Sequence, residues 1–378
     1  MRPSFIGEFM RFYYSLLLVH VVFPLQRAVD DIVYDAIVHK IFSGASIIVG
    51  GIDERYMEAS YGSQTYDINS LPISQETLFD LASLTKIVGT TMMTLVLYEE
   101  GKLKLDDCVS FYIPLFKDGD KDTITIKDLL THVSGVQPDE KVENIMCKGD
   151  EKQAHAVLSH IVQLPLICKP HIKVIYSCLN FYLLAHINEL IAGEAQEEFL
   201  KRKVFEPLVM SARYHLTEKE KELCASTAKD LQGIVHDPLA RFYGFDDGTP
   251  GNAGLFARAI DLVPFCEMIL NHGSYRGKQI LKKETVDLMM QCYTIGLNKR
   301  RGLGFNILDE YPFSEDHMHD DDFHTYIVGH TGYTGTMLWI DLLRKIYLIF
   351  LTNRVYPDEK SSIISVRHEL IKLLLPKN

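Results

Sequence analysis

The sequence predicts an α+β fold, an α/β sandwich in which an antiparallel sheet is built from both ends of the chain. Two observations support this. β-rich runs cluster near the two ends, whereas helix-compatible runs dominate the middle, and amphipathic helical patterns lie at 29–42 and 360–375. We expect residues 28–90 and 301–378 to form a sheet lobe flanked by the terminal helices, and residues 91–300 to form a helical lobe. The cleft between the lobes is the expected place for a small-molecule site.

Composition bounds the class of protein. The chain has 378 residues, 47% of them hydrophobic and 24% charged, which is typical of a soluble globular protein with a large core. A formal net charge of −11 argues against a nucleic-acid partner. The sequence shows no internal repeat, and it does not set the oligomeric state.

The cysteines do not form a recognisable cluster. There are seven of them, scattered and without Cys-x-x-Cys spacing, which predicts neither a zinc cluster nor a disulfide framework. Isolated free thiols favour a reducing compartment. They are Cys108, Cys147, Cys168, Cys178, Cys224, Cys266 and Cys292.

The N-terminus favours the opposite compartment. An apolar run at 12–23 is flanked by Arg11 and Arg27 and has the length of a signal-peptide core. We interpret residues 1–27 as a signal peptide or an uncleaved anchor, which slightly favours export or attachment to a membrane through this segment. The alternatives are an apolar first helix packed on the domain in a cytoplasmic protein, or a chain that starts at Met10.

The remaining elements follow from local patterns. The β-rich run at 45–51 is expected to pair with 56–61 as a hairpin, and residues 83–100 read as a largely buried helix. Near the end of the chain, three β-rich runs joined by short turns predict an antiparallel meander. These runs are 326–330, 336–341 and 345–352, and the predicted central helices are 126–132, 151–163, 178–193 and 258–271.

The first motif that carries chemistry is Ser-Leu-Thr-Lys at residues 83–86. A serine that opens a helix and a lysine three residues later lie on the same helical face. The helix N-terminus also offers free N–H groups and partial positive charge beside the serine oxygen. This arrangement suits a nucleophile with an adjacent base, although the motif by itself is more typical of a helix N-cap serine with a solvated lysine.

Two further motifs lie downstream. Tyr176-Ser-Cys-Leu-Asn180 opens a helical run, and a tyrosine at the mouth of a cleft can pass protons if nearby cations lower its pKa. Gly329-His-Thr-Gly-Tyr-Thr-Gly-Thr336 lies on the first strand of the meander, where glycines let another backbone approach and add as a strand. Taken singly, each motif is typical of structural residues.

In this order, the three motifs resemble the serine β-lactamase and penicillin-binding-protein superfamily. The resemblance is greatest to its class C-like branch, which includes D,D-carboxypeptidases, esterases and muropeptide amidases, and it extends from about residue 29 to about residue 356. It implies a β-lactamase/transpeptidase-like fold. Other stretches that carry it are residues 79–86, 129–135, 233–237, 251–256 and 351–357.

The resemblance also implies roles for individual residues. Ser83 would attack a carbonyl and form an acyl-enzyme. Lys86 would take its proton or hold Tyr176 as the base, and Tyr176 would pass a proton to the leaving group and later activate water. The N–H groups of Ser83 and Tyr333 would form the oxyanion hole.

The substrate would lie along the first strand of the meander. The resemblance implies that His330, Thr331 and Gly332 line this edge and that position 178 contacts the substrate. Asn180 would support the structure. No metal or cofactor is expected, and the partner would be a small molecule or peptide.

Three positions depart from the family pattern. Cys178 stands where asparagine or aspartate is usual, and a thiol is a poor replacement for a carboxamide. His330 stands where lysine is better known, which predicts that recognition of a substrate carboxylate depends on pH near neutrality. Asn252 stands where relatives often carry histidine, and it keeps a polar group.

Two other groups of residues have side chains that could carry chemistry. The cluster from Asp316 to His324 has three histidines close in sequence that could ligate a metal, but a solvated loop is the better interpretation. His236 and Asp237 suggest part of a Ser-His-Asp triad, but with Lys86 beside the serine we expect a structural pair instead.

The sequence therefore predicts a metal-independent serine acyl hydrolase. Its expected substrate is a carboxylic amide or ester, most plausibly a peptide derived from peptidoglycan. A β-lactamase or promiscuous carboxylesterase of the same fold is the alternative within this chemistry, and a non-catalytic binding protein is the alternative outside it.

Overall fold

The main sheet is antiparallel and takes strands from both ends of the chain, which confirms the predicted fold class. The computed structural model describes residues 23–245, 248–308 and 327–375. Within them the main sheet has six strands in the order β2-β1-β10-β9-β8-β7. The strands are β1 (Gly44–Gly51), β2 (Glu54–Gly62), β3 (Phe79–Asp80), β4 (Phe256–Ala257), β5 (Ser274–Tyr275), β6 (Lys278–Gln279), β7 (Asn306–Ile307), β8 (Ile327–Thr331), β9 (Met337–Asp341) and β10 (Ile346–Thr352).

The central strand β1 joins the two ends of the chain. It pairs with β2 as the predicted hairpin and with β10 on its other side, so that Ile47 lies between Ala59 and Phe350. Every residue of β1 is buried, because both faces of the sheet are covered. Strands β8, β9 and β10 form the predicted meander.

Helices cover both faces of the sheet. The first and last helices pack together on one face over Val33, Phe350 and Leu370. The central helices form a larger apolar core against the other face. The α-helices are α1 (Phe23–Val38), α2 (Thr91–Glu99), α3 (Val109–Tyr112), α4 (Ile126–Thr131), α5 (Gln153–Gln163), α6 (Leu179–Ala192), α7 (Gln196–Leu200), α8 (Glu206–Leu208), α9 (Glu218–Lys221), α10 (Pro238–Tyr243), α11 (Val263–Leu270), α12 (Lys283–Met290) and α13 (Ile364–Leu374).

Several bounds differ from the expected ones. The first helix ends at Val38 rather than at residue 42, and the run predicted as one helix over 83–100 begins as a π-helical segment, Lys86–Thr90, before α2. Such segments are frequent at functional sites. The helix predicted over 258–271 likewise starts with a 3₁₀ turn, Ala259–Leu262, ahead of α11.

A small second sheet brings distant loops together. Strand β3 pairs with β4, with Phe79 opposite Ala257 and Asp80 opposite Phe256. This pairing brings the loop at 249–255 alongside the segment that follows β3. The pairing spans about 177 residues of chain, and no local sequence pattern indicated it.

The expected signal peptide or anchor at 1–27 lies mostly outside the described residues, as does residue 326 of the predicted strand. Among the helices of the described ranges, none combines the length and apolar character needed to cross a membrane. All seven cysteines have free thiols.

Candidate active site

Ser83 lies in a tight turn between β3 and the helix that carries Lys86. The preceding residue, Ala82, has a positive φ of 46°, which is uncommon for a residue with a side chain. Its N–H donates to the buried carboxylate of Asp80 at 2.8 Å, and that carboxylate also accepts from the backbone N–H of His236 at 2.7 Å. A buried carboxylate therefore holds the turn, and Ser83 itself stays partly exposed.

Lys86 is fully buried, and its ammonium group has three acceptors. Its Nζ donates to Ser83 Oγ at 2.9 Å, to the backbone oxygen of Asn252 at 3.0 Å and to Cys178 Sγ at 3.5 Å. The loop that β4 places beside the helix supplies the Asn252 oxygen. Because an ammonium group has three N–H donors, this set of acceptors satisfies its charged form.

Tyr176 reaches the same serine from the start of α6. Its hydroxyl lies 2.8 Å from Ser83 Oγ, and its ring lies 5.0 Å from Lys86 Nζ. The residue is 36% exposed, so it faces both the serine and the open cleft. The structure thus brings together Ser83, Lys86 and Tyr176, three residues that the sequence analysis selected.

Lys86 shifts the pKa values of Tyr176 and Cys178, and each of them shifts that of Lys86. Burial lowers the pKa of Lys86, whereas its interactions with Cys178, Tyr176 and Asp237 raise it, and the net pKa lies above the ordinary value. Burial raises the pKa of Tyr176 and of Cys178, and Lys86 opposes this in both. At neutral pH the resting site therefore holds an ammonium group, a phenol and a thiol.

Cys178 lies at the N-terminus of α6 and contacts Lys86 through its sulfur. It stands at the position where the sequence resemblance leads us to expect asparagine or aspartate. The side chain of Asn252 lies beside the sulfur, and its Nδ2 donates to Asp237 Oδ2 at 3.1 Å. Asn180, two residues further on, is buried between Ser134 and the Leu129 carbonyl, which fits the expected structural role.

The turn after β8 lies against the turn that carries Ser83. Thr334 Oγ1 donates to the Asp80 carbonyl at 2.8 Å, and Thr336 Oγ1 donates to the Leu81 carbonyl at 3.0 Å. A Cβ on Gly332 would lie 2.6 Å from the Leu81 oxygen, so glycine permits this close approach. Within the described ranges, the backbone N–H groups of Ser83 and Tyr333 have no hydrogen-bond acceptor.

A second set of contacts fixes Tyr333. Its hydroxyl donates to Glu359 Oε2 at 2.6 Å, its ring stacks on His236, and the Arg354 guanidinium lies over its other face at 4.8 Å. Glu359 also lies 3.0 Å from His236 Nε2. These contacts hold the turn that presents the Tyr333 N–H.

His330 lies behind the cleft wall. It is 2% exposed, its Nδ1 lies 2.7 Å from the Thr331 carbonyl, and its ring packs 5.7 Å from that of Tyr176. Burial together with the charges of Arg301 and Lys86 holds its pKa well below the ordinary value. The expected pH-dependent recognition of a carboxylate near neutrality is therefore wrong for this side chain. Thr331 is the last residue of β8, and Gly332 follows it at the start of the turn.

Two residues near Tyr176 were missed in the sequence. Arg301 is 3% exposed, and its guanidinium carbon lies 5.9 Å from the Tyr176 ring. His132, which caps the end of α4 in a left-handed conformation, packs its ring 4.7 Å from that of Tyr176. No local pattern distinguishes these residues, because the fold brings them to Tyr176 from distant segments.

The other candidates do not join the site as catalytic groups. Asp237 caps α10 by accepting from the Ala240 N–H, and the His236 N–H is bound to Asp80, so the pair is structural as expected. The cluster from Asp316 to His324 lies outside the described residues. Among the residues that the structure describes, no group of three or more histidine, cysteine or acidic side chains is arranged to hold a metal ion.

A cavity of about 590 Å³ extends away from Asp237. Its walls come from the start of α10 and from the loop at 139–143. Both burial and the nearby Asp237 charge raise the pKa of the Asp139 carboxyl in this wall. Ser83, Lys86, Tyr176 and Cys178 do not line this cavity, so it adjoins the site through Asp237.

Comparison with known proteins places the chain among named relatives. A family model described as Beta-lactamase matches residues 29–370. An N-acetylmuramyl-L-alanine amidase of Bacillus subtilis (strain 168) is 29% identical over 369 residues, covering 85% of this chain and 80% of the relative. A protein of Escherichia coli (strain K12) that carries the provisional name D-alanyl-D-alanine carboxypeptidase is 29% identical over 307 residues, covering 74% and 69%.

The fold also matches solved structures. EstCE1, described as a hydrolase with promiscuous acyltransferase activity, superposes with a TM-score of 0.74 at 20% identity, over 93% of this chain and 98% of its own. At this identity the similarity establishes the fold alone.

Proposed function

The chain belongs to the Beta-lactamase family, and we propose that it is a serine hydrolase that cleaves a carboxylic amide or ester through an acyl-enzyme on Ser83. One observation carries the proposal: Ser83 Oγ is hydrogen-bonded to both Lys86 Nζ and the Tyr176 hydroxyl, at 2.9 and 2.8 Å. A serine whose oxygen is hydrogen-bonded to two acid–base groups meets the requirement for an activated nucleophile.

Acylation proceeds from the form of the cluster that lacks one proton, with Tyr176 as phenolate beside the Lys86 ammonium. The phenolate takes the Ser83 proton while the serine oxygen forms a bond to the substrate carbonyl carbon. The carbonyl π electrons move onto its oxygen, which the N–H groups of Ser83 and Tyr333 stabilise. The tetrahedral intermediate collapses, the bond to the leaving group breaks, and Tyr176 returns the proton to that group. Lys86 stays positively charged and orients both oxygens, because its three acceptors satisfy the ammonium form.

Deacylation uses the same groups. Tyr176 takes a proton from water, the hydroxide oxygen attacks the acyl carbon, and Ser83 recovers its proton as the ester bond breaks. The 36% exposure of Tyr176 gives water access to its hydroxyl. The mechanism needs no metal.

The most plausible substrate is a peptide derived from peptidoglycan. The names of the two relatives, a muramyl-alanine amidase and a provisionally named D-alanyl-D-alanine carboxypeptidase, support this class. β7 pairs with β8 only as far as Gly329, so within the described residues the end of β8 at His330 and Thr331 has no strand on that side. An extended peptide can add there as a strand.

A carboxylesterase is the second candidate, and Cys178 favours it. A carboxamide at this position would hydrogen-bond a substrate amide, whereas a thiol is a weak donor and acceptor. An ester without an acylamino group loses less from this replacement. A non-catalytic binding protein of the same fold is the remaining alternative.

The test compares wild type with Ser83→Ala on three substrates: a peptide ending in D-alanyl-D-alanine, a muramyl-peptide and a p-nitrophenyl ester. We expect hydrolysis of at least one by the wild type and its loss in Ser83→Ala, with both proteins folded by circular dichroism. Ser60→Ala, on β2 at the far edge of the sheet, is the matched control and should keep full activity. Equal rates in wild type and Ser83→Ala would contradict the proposal.

A further inference from the structure

Arg301 is a buried cation that has no acidic partner among the residues that the structure describes. It is 3% exposed, and across residues 23–245, 248–308 and 327–375 no carboxylate lies within ion-pair distance of its guanidinium group. Its Nη2 makes one hydrogen bond of 3.3 Å, to the Gly304 carbonyl, and its Nε is buried without an acceptor. A buried charge left unpaired is costly, so an arginine held in this position is a candidate for a functional role.

The group that faces Arg301 is Tyr176. The guanidinium carbon lies 5.9 Å from the centre of the phenol ring. Burial lowers the pKa of Arg301 to about 10, and Tyr176 acts against this lowering. A positive charge at this distance from the ring favours the phenolate form of Tyr176 by Coulomb attraction. Arg301 remains charged at neutral pH.

Of three other groups that lie around the phenol ring, Lys86 carries a charge and two histidines do not. Lys86 Nζ lies 5.0 Å from the ring, and the rings of His132 and His330 lie 4.7 and 5.7 Å away. Burial and neighbouring cations hold the pKa of both histidines well below the ordinary value, so they are neutral. In the described part of the chain, Lys86 and Arg301 are therefore the two positive charges beside Tyr176.

The negative charges lie on the lysine side of the cluster. Asp237 raises the pKa of Lys86, and so does Cys178. Cys178 lies at the start of α6, two residues after Tyr176. Asp139 faces Cys178 and Lys86 as well. Acidic groups thus favour a proton on Lys86, whereas Arg301 disfavours a proton on Tyr176.

We propose that Arg301 is a positioning residue. It favours the form of the active cluster in which Tyr176 has lost its proton and Lys86 keeps its own. The inference rests on the proposed function, in which the cluster takes the proton of Ser83. Arg301 acts through the phenol and does not touch the substrate, because its guanidinium is buried behind the ring. Arg301 thereby supplies the permanent positive charge that the neutral His330 does not supply.

The direct test titrates Tyr176 itself. Protein in which tyrosine is replaced by 3-fluorotyrosine, a more acidic phenol, is followed by fluorine NMR, and Tyr176→Phe identifies the resonance. We expect Arg301→Gln and Arg301→Met to raise the midpoint by about 1 to 2 pH units, from a unit charge about 6 Å away in a partly screened site. Arg301→Lys should keep most of the shift.

Arg258→Gln is the matched control, since it removes an arginine that pairs with exposed Glu76 and buried Asp261 away from Tyr176, and it should leave the midpoint unchanged. An unchanged midpoint in a folded Arg301→Gln or Arg301→Met protein overturns the proposal. The titration needs no turnover, so it reports on Arg301 even if Ser83 is never acylated.

A kinetic readout separates this role from binding of a substrate carboxylate. With a neutral p-nitrophenyl ester, Arg301→Gln should move the acidic limb of the pH profile of kcat/KM upward by the same about 1 to 2 pH units. If Arg301→Gln instead raises KM only for substrates that carry a carboxylate and leaves the ester profile in place, Arg301 is a binding residue and the proposal is wrong.

Discussion

Replacing Lys86 by methionine should abolish catalysis while sparing stability. Lys86 is completely buried, and its ammonium group contacts Ser83, Cys178 and the Asn252 carbonyl without a carboxylate at ion-pair distance in the described ranges. Removing the cation that orients the nucleophile and stabilises the Tyr176 phenolate should cost about 10²- to 10⁴-fold in rate, or about 3 to 5 kcal/mol of transition-state stabilisation.

Stability should respond differently. Removing the ammonium leaves the Asn252 carbonyl without its donor, which costs about 1 to 3 kcal/mol. It also removes the desolvation penalty of a buried charge, which is several kcal/mol. Methionine has a similar length and fills the space, so we expect a free energy of unfolding within about 2 kcal/mol of the wild type or above it.

The assays are kcat/KM on a p-nitrophenyl ester and urea denaturation followed by circular dichroism. Lys121→Met is the matched control, because Lys121 is 5% exposed and its Nζ binds the Val162 carbonyl at 2.8 Å in the helical part of the fold. It should keep full activity. A Lys86→Met protein that retains kcat/KM within tenfold of the wild type would refute the assigned mechanism.

Three further predictions follow from single positions. Cys178→Asn should raise the rate on amides relative to esters, because a carboxamide replaces a thiol beside Lys86, and an unchanged ratio would show that this side chain does not contact the substrate. Asn353→Ala should lower the free energy of unfolding by about 2 to 4 kcal/mol, since its buried Nδ2 donates to Ser43 Oγ and to two backbone carbonyls; a loss below about 1 kcal/mol in urea denaturation would argue against this network. Because burial and the nearby cations hold the pKa of His330 well below its ordinary value, the unfolded chain binds a proton that the folded chain does not. Stability is then fully present above about pH 6.5 and falls below it by up to about 1.4 kcal/mol per pH unit; His330→Gln should flatten this fall, and an equal slope in both proteins would show that His330 protonates when folded.

The fold was predictable because its signals are local. The β-rich runs and amphipathic helices indicate their own structure, and the chain-end strands have few ways to be buried except in one sheet. The pairing of Phe79–Asp80 with Phe256–Ala257 was not predictable, because two-residue strands leave no periodic pattern.

The site was predictable to the extent that it lies in motifs. The spacing of Ser83 and Lys86 on one helix turn follows from helix geometry, whereas the 2.8 Å contact between Tyr176 and Ser83 depends on how distant segments pack. Arg301 left no signal, because a buried arginine and an exposed one look alike in sequence. The charge state of His330 was mispredicted for the same reason: Arg301 and burial set its pKa.

The most direct test of the account is whether Ser83 is the nucleophile. Intact-protein mass after incubation with a fluorophosphonate, whose adduct with an activated serine does not hydrolyse, measures this without knowledge of the substrate. We predict one adduct per chain, mapped by peptide sequencing to the peptide that contains Ser83, and no adduct on Ser83→Ala. Equal labelling of wild type and Ser83→Ala, or no labelling of a folded wild-type chain, would contradict the central claim.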